Sequence, residues 1–151
     1  MYFCLFQPEI PQNVGAIMRT AACFNFGVDI IRPCGFIWEN KKLRRAGMDY
    51  LNTVPCTFYD DWDVYQKKRG GRTVLITPHT QSIYTNHVFQ EEDILVLGRE
   101  SDGVPEYVFS TVDMRVAIPM QLAMRSLNMA TAAGIVASEA CRQLGWTFLN
   151  K

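Results

Sequence analysis

ILVLGRESDGVP, residues 94–105, is the stretch on which the fold turns. Its apolar run ends in Gly98, a charged turn, Gly103 and Pro105. A strand apolar at every position is one covered on both faces, as strands of parallel sheets in α/β proteins are. Gly98 lets the backbone approach a ligand closely, and Glu100 is the acid best placed at the strand's carboxyl end, where open α/β sheets bind ligands. A solvated glutamate in a plain surface turn is the alternative. The run is neither G-x-G-x-x-G nor a P-loop, which counts against a dinucleotide-dependent oxidoreductase.

Outward from this segment, Gly and Pro divide the chain into short β-like runs alternating with helix-like ones, without repeats or low-complexity linkers. The expected strands are 2–6, 28–32, 55–59, 73–77, 93–98 and 114–119. A first helix opens at Pro11 to Asn13 and runs to Phe26, with Gly27 as its stop. A short basic helix is expected over 40–46, a third helix capped by Asp60 or Asp61 and ending near Gly70, and a brief fourth opened by Pro105. The last helix spans Leu127 to Leu144 and is apolar on two faces, one of them containing Met129, Ala133, Val136 and Ala140. Either it is wholly internal or one face meets a second copy of the chain, in a homodimer.

The chain has 151 residues, 48% of them hydrophobic and 20% charged, so the expectation is a single packed domain over 1–151. Fifteen basic residues balance fifteen acidic ones. A nucleic-acid partner must therefore be held by a local patch, and Lys41, Lys42, Arg44 and Arg45 supply one, preceded by Phe36 and Trp38. A solvated helix face is the plainer reading of those cations, and core packing that of the aromatics. Five cysteines without a C-x-x-C pair suggest a reducing cytosol. No leader pattern or bilayer-length apolar run is present, so a cytoplasmic protein with no membrane span is expected. His79 and His87 have no Cys or acidic partner at ligand spacing, so no metal is expected.

Two further segments carry candidate chemistry. In QPEIPQNVGAIMRT, 7–20, Asn13 is either a helix cap or a ligand-facing amide, and Arg19 either a surface cation or a site residue beside the small Gly15 and Ala16. In VAIPMQLAMRSLNMATAAGIVASEA, 116–140, Arg125, Ser126 and Asn128 precede an otherwise apolar helix. Ser126 alone would suffice as its cap, so the other polar residues call for a further role.

Taken in order, PEIPQNVGAIMRTAACFNFGVDII, GFIWENKKLRRAGMDY, LGRESDGVP and IPM followed by RSLNMATAAGIVASEACRQLG resemble the SpoU branch of the SPOUT RNA methyltransferases. Within it the chain is similar to the minimal tRNA (cytidine/uridine) wobble-nucleotide 2'-O-methyltransferases, the TrmL or YibK type. The resemblance implies a mostly parallel α/β sheet flanked by helices with a C-terminal trefoil knot, which periodicity alone would never suggest. It implies S-adenosylmethionine as cofactor, tRNA as substrate and a homodimer whose active site borrows from both subunits. The alternatives are a 2'-O-methyltransferase for another RNA site, such as rRNA, or a non-catalytic RNA-binding module.

By motif, the catalytic set becomes Asn13, Arg19, Glu100, Ser126 and Asn128. The cofactor set becomes Thr77, Gly98, Ile118 and Ser126, and Arg125 joins the RNA-binding cations. Arg99 stands before the glutamate where many relatives have Pro or Asn. The family's usual proposal makes the motif arginine the base, but a guanidinium is too weak an acid for that. Arg19 is expected to orient the hydroxyl, with a phosphate or Glu100 accepting the proton.

Overall fold

The computed structural model describes residues 1–38 and 53–150. Its elements are β1 (Tyr2–Phe6), α1 (Pro11–Phe24), β2 (Gly27–Ile31), β3 (Cys56–Tyr59), α2 (Trp62–Lys68), β4 (Thr73–Ile76), β5 (Ile94–Leu97), α3 (Glu106–Phe109), β6 (Met114–Val116) and α4 (Met129–Gln143). Single 3-10 turns occur at Tyr84–Asn86 and Thr147–Asn150. All six strands lie in one sheet in the order β3-β2-β1-β5-β4-β6, and every neighbouring pair is parallel.

Alternation along β1 shows why the strands are apolar throughout. Phe3 and Leu5 enter a core with Ile17 and Met18 of α1 and Val136 and Ala137 of α4. Cys4 and Phe6 enter a second core with Trp62 and Tyr65 of α2 and Val108 of α3. Successive side chains on a strand point to opposite faces, so a sheet between two helical layers needs apolar residues at both parities. A buried carboxylate in β2 breaks the pattern. Asp29 of β2 is fully buried, accepts the Tyr65 hydroxyl at 3.1 Å and lies 3.3 Å from Arg69 Nε.

The element ends bear out some expectations and correct others. Helix α1 stops two residues early, at Asn25 in the left-handed conformation (φ 57°). Gly27 is not the stop but the first residue of β2, where any β-carbon would collide with the Tyr2 ring. Pro105 precedes α3 as its cap, and Asp61, rather than Asp60, caps α2 by accepting from Val64 N at 2.7 Å. Helix α4 is capped by Asn128 and not by Ser126. Residues of both expected faces, Ala133, Val136 and Ala140 of one and Ala137 of the other, are fully buried within the chain, which leaves only the half-exposed edge at Ala130, Gly134 and Ile135 for a second copy to meet. The helix expected over 40–46, with Lys41, Lys42, Arg44 and Arg45, lies outside the described residues.

Candidate active site

From β1 the chain runs outward through β2 to β3, while β5, β4 and β6 lie on the other side. The order thus reverses between β1 and β5, and ligands in open α/β sheets bind at such a switch point, beyond the strands' carboxyl ends. A cleft of about 630 Å³ opens there. Leu97 and the loop to Val104 at the end of β5, Ile76 and the loop to His79 at the end of β4, Ile118 after β6, and Ser126 to Met129 at the start of α4 all stand on its walls. The volume is in the range of small-molecule sites, about 300–1,000 Å³.

The 98–103 loop is shaped by its own backbone. Arg99 N donates to Gly103 O at 2.8 Å and Gly103 N to Arg99 O at 3.0 Å. A β-carbon on Gly98 would fall 2.5 Å from the Gly103 carbonyl carbon, so this glycine accommodates the loop's own returning strand rather than a ligand. Arg99 pairs with Asp102 at 2.7 and 3.0 Å and reaches Gln7 Oε1 at 3.1 Å.

Three residues far apart in sequence meet at the mouth of the cleft. Asn128 Oδ1 accepts from the backbone N–H of Ala130 (2.9 Å) and Thr131 (3.2 Å) at the start of α4. Its amide nitrogen must therefore point outward, and it donates to Asn13 Oδ1 at 2.8 Å. Asn13 Nδ2 in turn donates to Glu100 Oε1 at 2.9 Å. Glu100 also accepts from the backbone of Glu9 (2.8 Å) and Ile10 (3.2 Å), just ahead of α1. Every donor direction in this relay follows from the helix cap, and it ends on a carboxylate that only accepts. Asn13 is 7% exposed and sits inside the first turn of α1, with Ile10 as the cap, so the plain capping role for Asn13 does not apply.

The structure thus brings Asn13, Glu100 and Asn128 together, and places Thr77, Gly98, Ile118, Arg125 and Ser126 on the walls of the same cleft. Arg19 is not among the lining residues and stands on the exposed side of α1. Phe36 and Trp38 stack on each other at 5.8 Å, and Trp38 meets Phe58 edge-on at 4.8 Å, so one face of each of the two rings is engaged within the chain. Sequence reasoning missed Glu9 and Ser101. Glu9 accepts from Ser101 N at 2.8 Å and from Ser101 Oγ at 2.9 Å. A charged residue between Pro8 and Pro11 was the only signal, and it named no partner. Among the described residues no group of His, Cys, Asp and Glu is arranged to hold a metal, and no helix is long and apolar enough to cross a membrane.

A parallel α/β sheet with a small-molecule cleft at its switch point, rimmed by residues from three distant motifs, defines a ligand-binding enzyme class with its site in the loops after β4, β5 and β6. The SpoU rRNA Methylase family profile matches residues 1–138, and the chain belongs to that family. A relative from Beijerinckia indica subsp. indica, named tRNA (cytidine(34)-2'-O)-methyltransferase, is 44% identical over 144 residues, covering 93% of this chain and 90% of its own. The identically named protein of Escherichia coli strain K12 is 34% identical over 145 residues, with 94% and 92% covered. A solved structure described as giving structural insights into the 2-OH methylation of C/U34 on tRNA superposes with a TM-score of 0.89 at 39% identity over 95% of both chains. An AdoMet-bound rRNA methyltransferase from Sinorhizobium meliloti gives 0.82 at 25% identity, over 95% of this chain and 56% of that one.

Proposed function

We propose that this chain transfers a methyl group from S-adenosylmethionine to the 2'-oxygen of the wobble ribose, cytidine or uridine 34, of tRNA. The observation that carries the reading is the Asn128–Asn13–Glu100 relay at the mouth of the cleft, in a chain that shares over nine-tenths of its length with relatives named for this reaction.

The cleft fits the cofactor. Its volume suits a nucleoside with a short tail, and its strand-end walls combine Ile76, Leu97, Ile118 and Met129 with backbone groups at Gly98 and around Ser126. Thr77, Gly98, Ile118 and Ser126 are the residues we assign to hold it, largely through backbone. When bound, the sulfonium supplies a methyl group activated for in-line displacement, chemistry that requires neither a metal nor a covalent enzyme nucleophile.

The chain's own contribution is positional. Asn13 and Asn128 hold the cleft mouth rigid. Glu100 already accepts three N–H donors, which makes it an anchor and leaves the hydroxyl proton to a substrate phosphate. Arg19 is assigned to orient the 2'-hydroxyl and stabilise the developing alkoxide. Its place on the exposed side of α1, away from its own chain's cleft, supports a homodimer in which it serves the partner's site. Lys41, Lys42, Arg44, Arg45 and Arg125 are assigned to grip the RNA backbone. A single domain, a C-terminal trefoil knot and a cytoplasmic location belong to the same reading.

Calorimetric titration with S-adenosylmethionine in EDTA, followed by methyl transfer to tRNA carrying a normal or a 2'-deoxy wobble nucleotide, tests the proposal. Stoichiometric binding and transfer to the normal tRNA alone are expected. Absence of binding at millimolar cofactor, or equal methylation of the deoxy substrate, would overturn it.

A further inference from the structure

Two carboxylates fasten the turn before α1 to the loop after β5, and they do so reciprocally. Glu100 takes the backbone N–H groups of Glu9 and Ile10, at 2.8 and 3.2 Å. Glu9 takes the backbone N–H of Ser101 at 2.8 Å and its hydroxyl at 2.9 Å. Each segment thus donates its backbone to the acid carried by the other, although they are over ninety residues apart. The Ser101 hydroxyl also lies 3.2 Å from Asp102, but Glu9 is nearer and holds the adjacent N–H as well.

The Glu9 side chain has little freedom to leave this arrangement. Gly35 N donates to Pro8 O at 2.9 Å, and a β-carbon on Gly35 would fall 2.9 Å from Glu9 Cα and 3.2 Å from its Cγ. The loop after β2 therefore backs Glu9 and aims it at Ser101. Beyond Ser101 lie Asp102 and Gly103, which with Gly98 and Arg99 form the cleft wall.

We propose that Glu9 is a positioning residue for the cofactor, holding the 98–103 loop in its binding shape through Ser101. The proposal rests on the methyltransferase reading above. Glu9 touches neither cofactor nor substrate in it. The Ser101 bonds are near the surface, so water can satisfy Ser101 when Glu9 is removed, and what is lost is the order of the loop rather than the fold. Bound cofactor must then restore that order, which weakens its affinity while leaving the assembled site intact.

The test is calorimetric affinity for S-adenosylmethionine together with KM and kcat for methyl transfer, in the full-length protein. Glu9→Ala is expected to raise the cofactor Kd and KM about tenfold, the range for losing charge-assisted hydrogen bonds, with kcat at saturation within about twofold. Glu9→Gln keeps one acceptor and should lose about threefold, as should Ser101→Ala, which retains its backbone N–H. Ser101→Thr should restore wild-type affinity. The Glu9→Ala/Ser101→Ala pair should be no weaker than Glu9→Ala alone, because both act through one contact. Amide exchange at Ser101 in the cofactor-free protein should quicken in Glu9→Ala. Unchanged affinity or exchange, a loss in kcat without KM, additive losses in the pair, or failure of Ser101→Thr to rescue would each overturn the proposal. A wild-type chain that binds no S-adenosylmethionine overturns the methyltransferase reading itself, whereas normal wild-type binding with an unaltered Glu9→Ala overturns the positioning role alone.

Discussion

Replacing Glu100 by Gln separates an anchor from a base. As a carboxylate, Glu100 offers two accepting oxygens to three donors: Ile10 N and Asn13 Nδ2 on one, Glu9 N on the other. A glutamine has one accepting oxygen. In its better orientation it keeps the two donors on the first oxygen and turns an NH2 toward the Glu9 N–H, setting donor against donor. In this half-buried position the lost bond costs about 1 kcal/mol, at the low end for an unsatisfied group. The two surviving bonds lose their charge assistance, about another 1 kcal/mol together. For a domain of this size the combined loss of about 2 kcal/mol lowers Tm by about 4–8 °C. Thermal unfolding followed by circular dichroism, at fixed protein concentration and without cofactor, measures it. If Glu100→Gln unfolds within about 1 °C of wild type while turnover alone disappears, Glu100 is a proton acceptor and the anchoring argument is wrong.

Arg19→Ala should abolish methyl transfer in single-turnover assays while cofactor affinity stays within a few-fold, and Arg19→Lys should also be poor because an ammonium lacks the planar fork. Gly134→Arg should give a folded monomer by sedimentation: a β-carbon there meets nothing within its own chain, so any conflict arises at the α4 edge assigned to the homodimer. By contrast Ala133→Asp, at a fully buried position, should unfold the chain. Acid titration of stability should show two windows in urea melts. Burial, reinforced by Arg72 and opposed by Asp93, holds the His87 pKa below its ordinary value, so the unfolded chain takes up a proton first and stability falls as pH drops below about 6.5; His87→Gln should flatten that slope. Hydrogen bonds from Arg142 and then Gln143 hold Glu139 down at about 2, a contribution present above its ordinary range and lost as pH falls toward 2. Arg142 is largely exposed and solvent screens the pair, so Glu139→Gln should change this acid limb only slightly.

The strands were legible because two helical layers demand apolar residues at both parities, and that leaves an unbroken run in the sequence. Their boundaries were legible to within one residue, except that β6 ends at Val116 and not at residue 119. Helix ends were less so, because several residue types satisfy one cap. Ser126 and Asn128 both qualify, and only the three-dimensional partner Asn13 selects Asn128. Gly27 looked like a helix stop since glycine serves that role, yet it is required by the Tyr2 ring, which arrives from another strand. The two apolar faces of α4 were recognised, but not that residues of both, Ala133 on one and Ala137 on the other, are buried inside the chain. Periodicity gives the faces of a helix without saying which neighbour covers each. In the site, Asn13, Glu100 and Asn128 were each visible as odd polar residues in apolar or glycine-rich settings, and the family resemblance joined them. Glu9 and Ser101 could not be paired from sequence, because their contact depends on how β1 and β5 place two loops side by side.

The central claim is the atom that is methylated. Purified protein, S-adenosylmethionine bearing an isotopically labelled methyl group and tRNA transcript should be incubated, and the RNA digested and mapped by mass spectrometry. One labelled methyl on the ribose of nucleotide 34, with none on its base and none elsewhere, is the expected result. Label on a base, on another nucleotide, or nowhere in the tRNA would contradict the account.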